Sequence, residues 1–171
     1  MSIKKIFKEQ PDNFEFNSEN LSNAKKIIKN YPDGKQQSAV MALLYIAQRQ
    51  NNNWIPLVAM KYIAKLLHMS YIKVYEVATF YDMFYTEPVG RHQLRVCTNI
   101  SCMLRGAGDI MELLQNKLDV EVGGMTADGR FTLFEAECLG ACGGAPMLVC
   151  GDRYFEDLTE EKLDQLLAEM D

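Results

Sequence analysis

The chain is short of several residue types, and each shortage narrows its chemistry. It has two histidines and one tryptophan in 171 residues. Histidine-rich metal sites and histidine-based catalytic networks therefore have little to draw on. No stretch approaches the roughly 18 apolar residues that identify a membrane-spanning helix. The first ten residues, M-S-I-K-K-I-F-K-E-Q, are basic but lack an apolar core, and Glu9, Asp12, Glu15 and Glu19 follow. A secretory signal is not expected from such a start, nor is a transit peptide. No C-x-x-C is present, which leaves a redox-active dithiol with little support. No G-x-G-x-x-G follows a strand, so a dinucleotide site is not expected on this chain. No internal repeat or low-complexity segment is visible.

Five cysteines are present, an odd number. Without an export signal they read as ligands or reduced thiols rather than a disulfide framework, and the compartment as reducing. The net charge of −5 is divided unevenly. Residues 1–106 carry 14 Lys/Arg against 8 Asp/Glu, while residues 107–171 carry 4 against 15. Two solvated faces of opposite sign would explain this, as would a basic extension joined to an acidic domain. The basic residues are scattered, so no nucleic-acid-binding stripe is formed.

The first half reads as helical. Ser18 is expected to cap a helix over about 19–29, and Tyr31-Pro32-Asp33-Gly34 to end it. A second helix is predicted over about 35–50, broken by Asn51-Asn52-Asn53. Pro56 suits the first position of a third, running to about Leu67. Ser70 is expected to cap a fourth over about 71–84. Six of residues 71–85 are aromatic, and apolar groups lie on almost every face. Such a helix is either the core of the helical half or sandwiched between domains or subunits. Trp54 reads as a packing anchor.

Glu87-Pro88-Val89-Gly90 marks a boundary, giving a helical segment over 1–88 and a second domain over 89–171. Beyond it the pattern is α/β (α+β). A strand over 93–96 ends at Cys97, and a helix over 105–118 follows. A second strand is predicted over about 130–136. Residues 147–150 and 153–155 pair across Gly151-Asp152, and Thr159 caps a last helix to about Ala168. His68 falls at a helix C-terminus and His92 just before a strand; neither is expected to be a ligand.

Cys97 and Cys102 form C-T-N-I-S-C. Cys138 and Cys142, with 35 residues intervening, form C-L-G-A-C-G-G-A-P. Two close pairs can bring four thiolates to one centre, and that ligand set fits iron–sulfur or zinc. Structural zinc sites usually leave two residues within each pair; here there are four and three. A structural zinc module held by four cysteines, scaffolding an assembly, remains the alternative from another class. Each pair sits just after a predicted strand, so both are expected at one edge of a sheet. Gly140, Gly143 and Gly144 near the second pair, and Gly106 and Gly108 near the first, would let backbone N–H groups approach an anionic centre. Glu135 and Glu137 are expected to hold any redox potential there low. Cys150 stands alone in an apolar strand and reads as a small buried core residue.

These segments resemble a known family. V-Y-E-V-A-T-F-Y, P-V-G, V-C-T-N-I-S-C-M-L-R-G, C-L-G-A-C-G-G-A-P and Y-F-E-D-L-T look like the E subunit of NADH–quinone oxidoreductase, respiratory complex I. The W-I-P…A-M…I-A…L run from Trp54 to Leu66 fits the same family. The resemblance implies a thioredoxin-like [2Fe-2S] ferredoxin domain behind an N-terminal helical segment. It carries the cluster ligands onto Cys97, Cys102, Cys138 and Cys142 and implies no catalytic residue on this chain. It implies FMN and NADH on a neighbouring flavin subunit, with which this chain exchanges single electrons, and a large iron–sulfur subunit as a second partner. Membrane contact would come only through the complex, in its peripheral arm. That arm lies on the cytoplasmic side of a bacterial inner membrane, or the matrix side in a mitochondrion. Small subunits of NAD(P)-linked hydrogenases and formate dehydrogenases share the cysteine pattern and form the alternative assembly. Cys150 departs from the family's expected pattern.

Overall fold

The computed structural model describes residues 4–170, so the first three residues of the basic N-terminal stretch lie outside it. The chain divides into two compact units after Pro88.

The first unit holds four α-helices: α1 (Ser18–Ile28), α2 (Val40–Gln50), α3 (Leu57–Leu66) and α4 (Tyr71–Phe80). Asn17, not Ser18, caps α1; its side chain accepts a 2.8 Å hydrogen bond from the Asn20 N–H. Asparagine and serine are about equally good caps, so composition alone does not choose between adjacent positions. The expected helix from 35 begins as a 3-10 turn over Gln36–Ala39 and becomes α-helical only at Val40. Pro56 is the residue before α3 rather than its first turn. Leu43, Leu44, Met60, Ile63, Val74 and Phe84 are fully buried at the centre. Each such side chain contributes roughly 1.5–3 kcal/mol by leaving water. Gln48 is also buried, and both ends of its amide are engaged: it donates to Met83 O at 3.0 Å and accepts from Tyr85 N at 2.8 Å.

The fourth helix is shorter and less buried than its sequence implies. It stops at Phe80 and fully buries only Val74 and Ala78, while Ile72 and Phe80 are exposed. Its C-terminal end is held by the N-terminal segment. Lys4 Nζ donates to the carbonyls of Ala78, Tyr81 and Phe84. Phe7 N donates to Thr86 O at 3.1 Å, and the Thr86 hydroxyl donates back to Lys5 O. Trp54 packs edge-on against Phe7, as a packing anchor should.

The second unit is a four-stranded mixed sheet with three helices. Its strands are β1 (His92–Cys97), β2 (Phe131–Ala136), β3 (Leu148–Cys150) and β4 (Arg153–Phe155), in the order β2-β1-β3-β4. β1 and β2 run parallel, whereas β3 is antiparallel to both β1 and β4. Parallel neighbours need a long crossover. It contains α5 (Ile100–Leu104) and α6 (Ala107–Leu118). The last helix, α7 (Glu160–Glu169), is capped by Thr159 as its sequence predicts, with the hydroxyl accepting from Lys162 N. Leu94, Leu114, Leu133, Leu148 and Leu163 are fully buried, and Cys150 joins them at 8% exposure. Lys117 on α6 pairs with Glu160 and Asp164 of α7 at 3.0 and 2.8 Å. Arg130 donates to the carbonyls of Leu167 and Met170 at the end of α7. Gly90 passes so close to β2 that a Cβ there would stand 2.6 Å from the Phe131 carbonyl carbon.

Candidate metal centre

The parallel pairing of β1 and β2 brings the two cysteine segments together. Parallel strands end on the same side of a sheet, and Cys97 stands opposite Ala136 in register. Cys97 is the last residue of β1, and Cys138 lies two residues past the end of β2. Cys102 is the third residue of α5, the first element of the crossover. Cys142 opens a 3-10 turn over Cys142–Gly144.

The four thiols differ in exposure. Cys97 and Cys102 are buried at 2% and 1%, within a small apolar cluster that also contains Ala107, Ala145, Met147 and Val149. Cys138 and Cys142 are exposed, with their sulfurs 3.7 Å apart. The Tyr154 hydroxyl donates to Leu139 O at 3.2 Å and ties this second segment to β4.

Burial pushes the Cys102 thiol up to about 11, reinforced by a hydrogen bond and charge repulsion from Cys97 and by the charge of Cys142. The backbone of Met147 opposes these effects. Met147 O accepts from the Cys97 N–H at 3.1 Å, tying the end of β1 to the residue just past the second cysteine segment. Cys150 is likewise pushed up by burial, in the other core.

The donor set suits a two-metal cluster. Two thiolates on one tetrahedral metal at about 2.3 Å stand about 3.8 Å apart, close to the Cys138–Cys142 separation. The thiols come as two pairs, Cys97 with Cys102 and Cys138 with Cys142, and a two-iron cluster takes two thiolates on each iron.

Several neighbours of these cysteines gave no signal in the sequence. The Thr98 hydroxyl donates to Glu135 Oε1 at 2.7 Å, and Asn99 Nδ2 donates to Glu137 Oε2 at 2.9 Å. The carboxylates expected to act only through their charge are thus joined to the first cysteine segment. Ile100, Met103 and Leu104 on α5 are exposed apolar residues beside Cys102. His92 Nε2 is buried without a hydrogen-bond partner among the described residues, and burial lowers its pKa with help from Arg91 and Arg130. His92 opens β1 and Cys97 closes it, so this imidazole is at the far end of the strand from the thiols.

The family model for thioredoxin-like [2Fe-2S] ferredoxins matches residues 24–171. The E subunit of NADH-quinone oxidoreductase from Rickettsia felis is 48% identical over 157 residues, covering 92% of this chain and 94% of the relative. The mitochondrial NADH dehydrogenase [ubiquinone] flavoprotein 2 of Dictyostelium discoideum is 44% identical over 157 residues; that match spans 92% of this chain and 64% of the longer relative. Among solved structures, an NAD+-reducing [NiFe]-hydrogenase matches with a TM-score of 0.66 at 20% identity. That match covers 77% of this chain and 22% of the hydrogenase chain, and it shows likeness of fold. With both cysteine pairs at the ends of parallel strands and a match running from the helical unit to the last residue, the chain belongs to the thioredoxin-like [2Fe-2S] ferredoxin family, among the E subunits of NADH-quinone oxidoreductases.

Proposed function

We propose that Cys97, Cys102, Cys138 and Cys142 hold one [2Fe-2S] cluster, and that the chain is an electron-transfer subunit of an NADH:quinone oxidoreductase. The observation that carries this reading is the meeting of two thiol pairs, one buried and one exposed, at the C-terminal ends of β1 and β2. When bound, the cluster supplies one-electron chemistry. The chain's own residues supply its setting. The buried pair keeps water from one side, Met147 O holds the Cys97 backbone, and the exposed pair leaves the other side open to a partner. No residue of this chain makes or breaks a substrate bond.

In this reading NADH and FMN belong to a neighbouring NADH-oxidising subunit, with which this chain exchanges single electrons. A large iron–sulfur subunit is its second partner. Residues 1–88 act as a docking arm and residues 89–171 as the cluster domain. None of the described helices is long and apolar enough to cross a membrane. In the same reading the chain is attached through its partners, in the peripheral arm on the cytoplasmic face of a bacterial inner membrane or the matrix face in a mitochondrion.

Metal and sulfide analysis with EPR tests the proposal. The full chain, purified after expression with iron, is expected to be brown and to carry about two iron and two labile sulfide, with an EPR signal after dithionite reduction. One zinc and no colour would refute it. Recovery of the native protein with a soluble hydrogenase, instead of quinone-reducing subunits, would refute the assembly.

A further inference from the structure

We propose that Asn99–Glu137 and Thr98–Glu135 form a brace that holds the two cysteine segments in register, making all four positioning residues for the cluster. The inference rests on the cluster reading above and concerns how the ligands are held.

β1 and β2 end at Cys97 and Ala136, so the sheet's own hydrogen bonds stop where the ligands begin. One backbone bond continues the ladder, from Thr98 N to Ala136 O at 3.0 Å. The two side-chain pairs extend the link beyond it, at 2.7 Å for Thr98–Glu135 and 2.9 Å for Asn99–Glu137. They connect the residues just after Cys97 to the residues just before Cys138.

Asn99 is also the residue before α5, the five-residue helix carrying Cys102. Asparagine at that position commonly turns its side chain back to cap its own helix. Here it makes no such cap, and its amide donates to Glu137. A helix of five residues has almost no stability of its own. The direction in which α5 leaves β1, and therefore the position of Cys102, is set by what holds its first residue. Glu137 holds that residue and is itself joined covalently to Cys138. One amide–carboxylate bond thus relates a ligand from each pair.

The test uses the full chain with its cluster assembled from ferrous iron and sulfide. Two readouts are taken: the half-life of the visible absorbance under a chelator, and the EPR line shape after reduction. Asn99→Ala and Glu137→Ala are each expected to shorten the half-life about tenfold, the effect typical of removing an outer-shell partner of a metal ligand. The double variant should be no worse than the worse single one. Glu137→Gln keeps an oxygen that accepts from Asn99 and loses only the charge, so half-life and line shape should stay those of the wild type. Far-UV circular dichroism of each variant separates misfolding from loosened ligation. If an alanine variant does not fold, Thr98→Val against Glu135→Gln provides the same comparison on the second strut. The brace is overturned if Asn99→Ala matches the wild type, if the single effects add, or if Glu137→Gln behaves like Glu137→Ala. A wild-type chain that takes up no iron and sulfide would overturn the cluster reading, and the brace with it; a loaded wild type with indifferent variants overturns the brace alone.

Discussion

Gly144→Ala should destabilise the second unit through a single, identifiable collision. Gly144 is buried directly after Cys142 and Gly143, and its backbone lies outside the left-handed region, so the question is one of space. A Cβ built there would stand 2.6 Å from Glu156 Cβ and 2.7 Å from Glu156 Cδ, and it would also overlap the carboxylate. Carbon atoms in good contact stay about 3.5–4.0 Å apart, so a displacement of about 1 Å is required. The carboxylate can swing away, because Glu156 is exposed. Its Cβ cannot move without the backbone. That backbone is pinned by Asp157 N donating to Gly144 O at 2.7 Å and Leu158 N donating to Pro146 O at 3.0 Å. Overpacking of this kind costs about 1–3 kcal/mol, roughly a 5- to 150-fold loss in the folding equilibrium. Glu156→Gly removes the opposing Cβ. It should cost up to about 1 kcal/mol alone and cancel most of the loss when combined with Gly144→Ala. Native-state hydrogen exchange at the Leu148 and Val149 amides reads this unit, while Trp54 fluorescence in the helical unit serves as an internal control. The reasoning is refuted if Gly144→Ala costs less than about 0.5 kcal/mol, or if Glu156→Gly leaves its cost unchanged.

Loading of the metal-free protein should weaken as pH falls. A thiol raised to about 11 holds its proton throughout the neutral range, and the metal must displace it. Each displaced proton lowers apparent affinity about tenfold per pH unit, so titration between about pH 6.5 and 8.5 should show a steep dependence; a flat profile would contradict the protonated Cys102. Cys138→Ala should abolish the stable cluster spectrum, whereas Cys150→Ala should leave it intact, because Cys150 belongs to the separate core around Leu94 and Leu148. Loss of the spectrum on replacing Cys150 would refute that separation.

The parts of the fold that were legible are those with local causes. The Gly151-Asp152 hairpin, the Thr159 cap and the strand endings at Cys97 and Ala136 follow from turn chemistry and short apolar runs. Parallel neighbours then explain why both cysteine pairs share one edge. Less local features were not legible. α5 is five residues long, too short to show a helical period. At the early end of α4, the carbonyls of Ala78 and Tyr81 accept from Lys4, more than 70 residues away, a partner that no local pattern shows. At the site, Met147, between Pro146 and Leu148, accepts from the Cys97 N–H, a contact that no local pattern around the cysteines announces. Composition could locate Glu135 and Glu137 beside the cysteines. Only the pairing of β1 with β2 brings Thr98 and Asn99 within their reach.

The fastening of the N-terminal segment to the end of α4 has a consequence for synthesis. Residues 4–7 find their partners at residues 78–86, so the first part of the unit to leave the ribosome waits for the last part. At about 5–20 residues per second that wait is roughly 4–16 s. For the first part of it Phe7 lacks Trp54, which packs against it, and throughout it the carbonyls at the end of α4 do not yet exist. Translation speed over residues 8–86 therefore sets how long the growing chain is exposed to chaperones and to its neighbours on the same message. Slowing that stretch should lengthen the exposure without altering the finished protein.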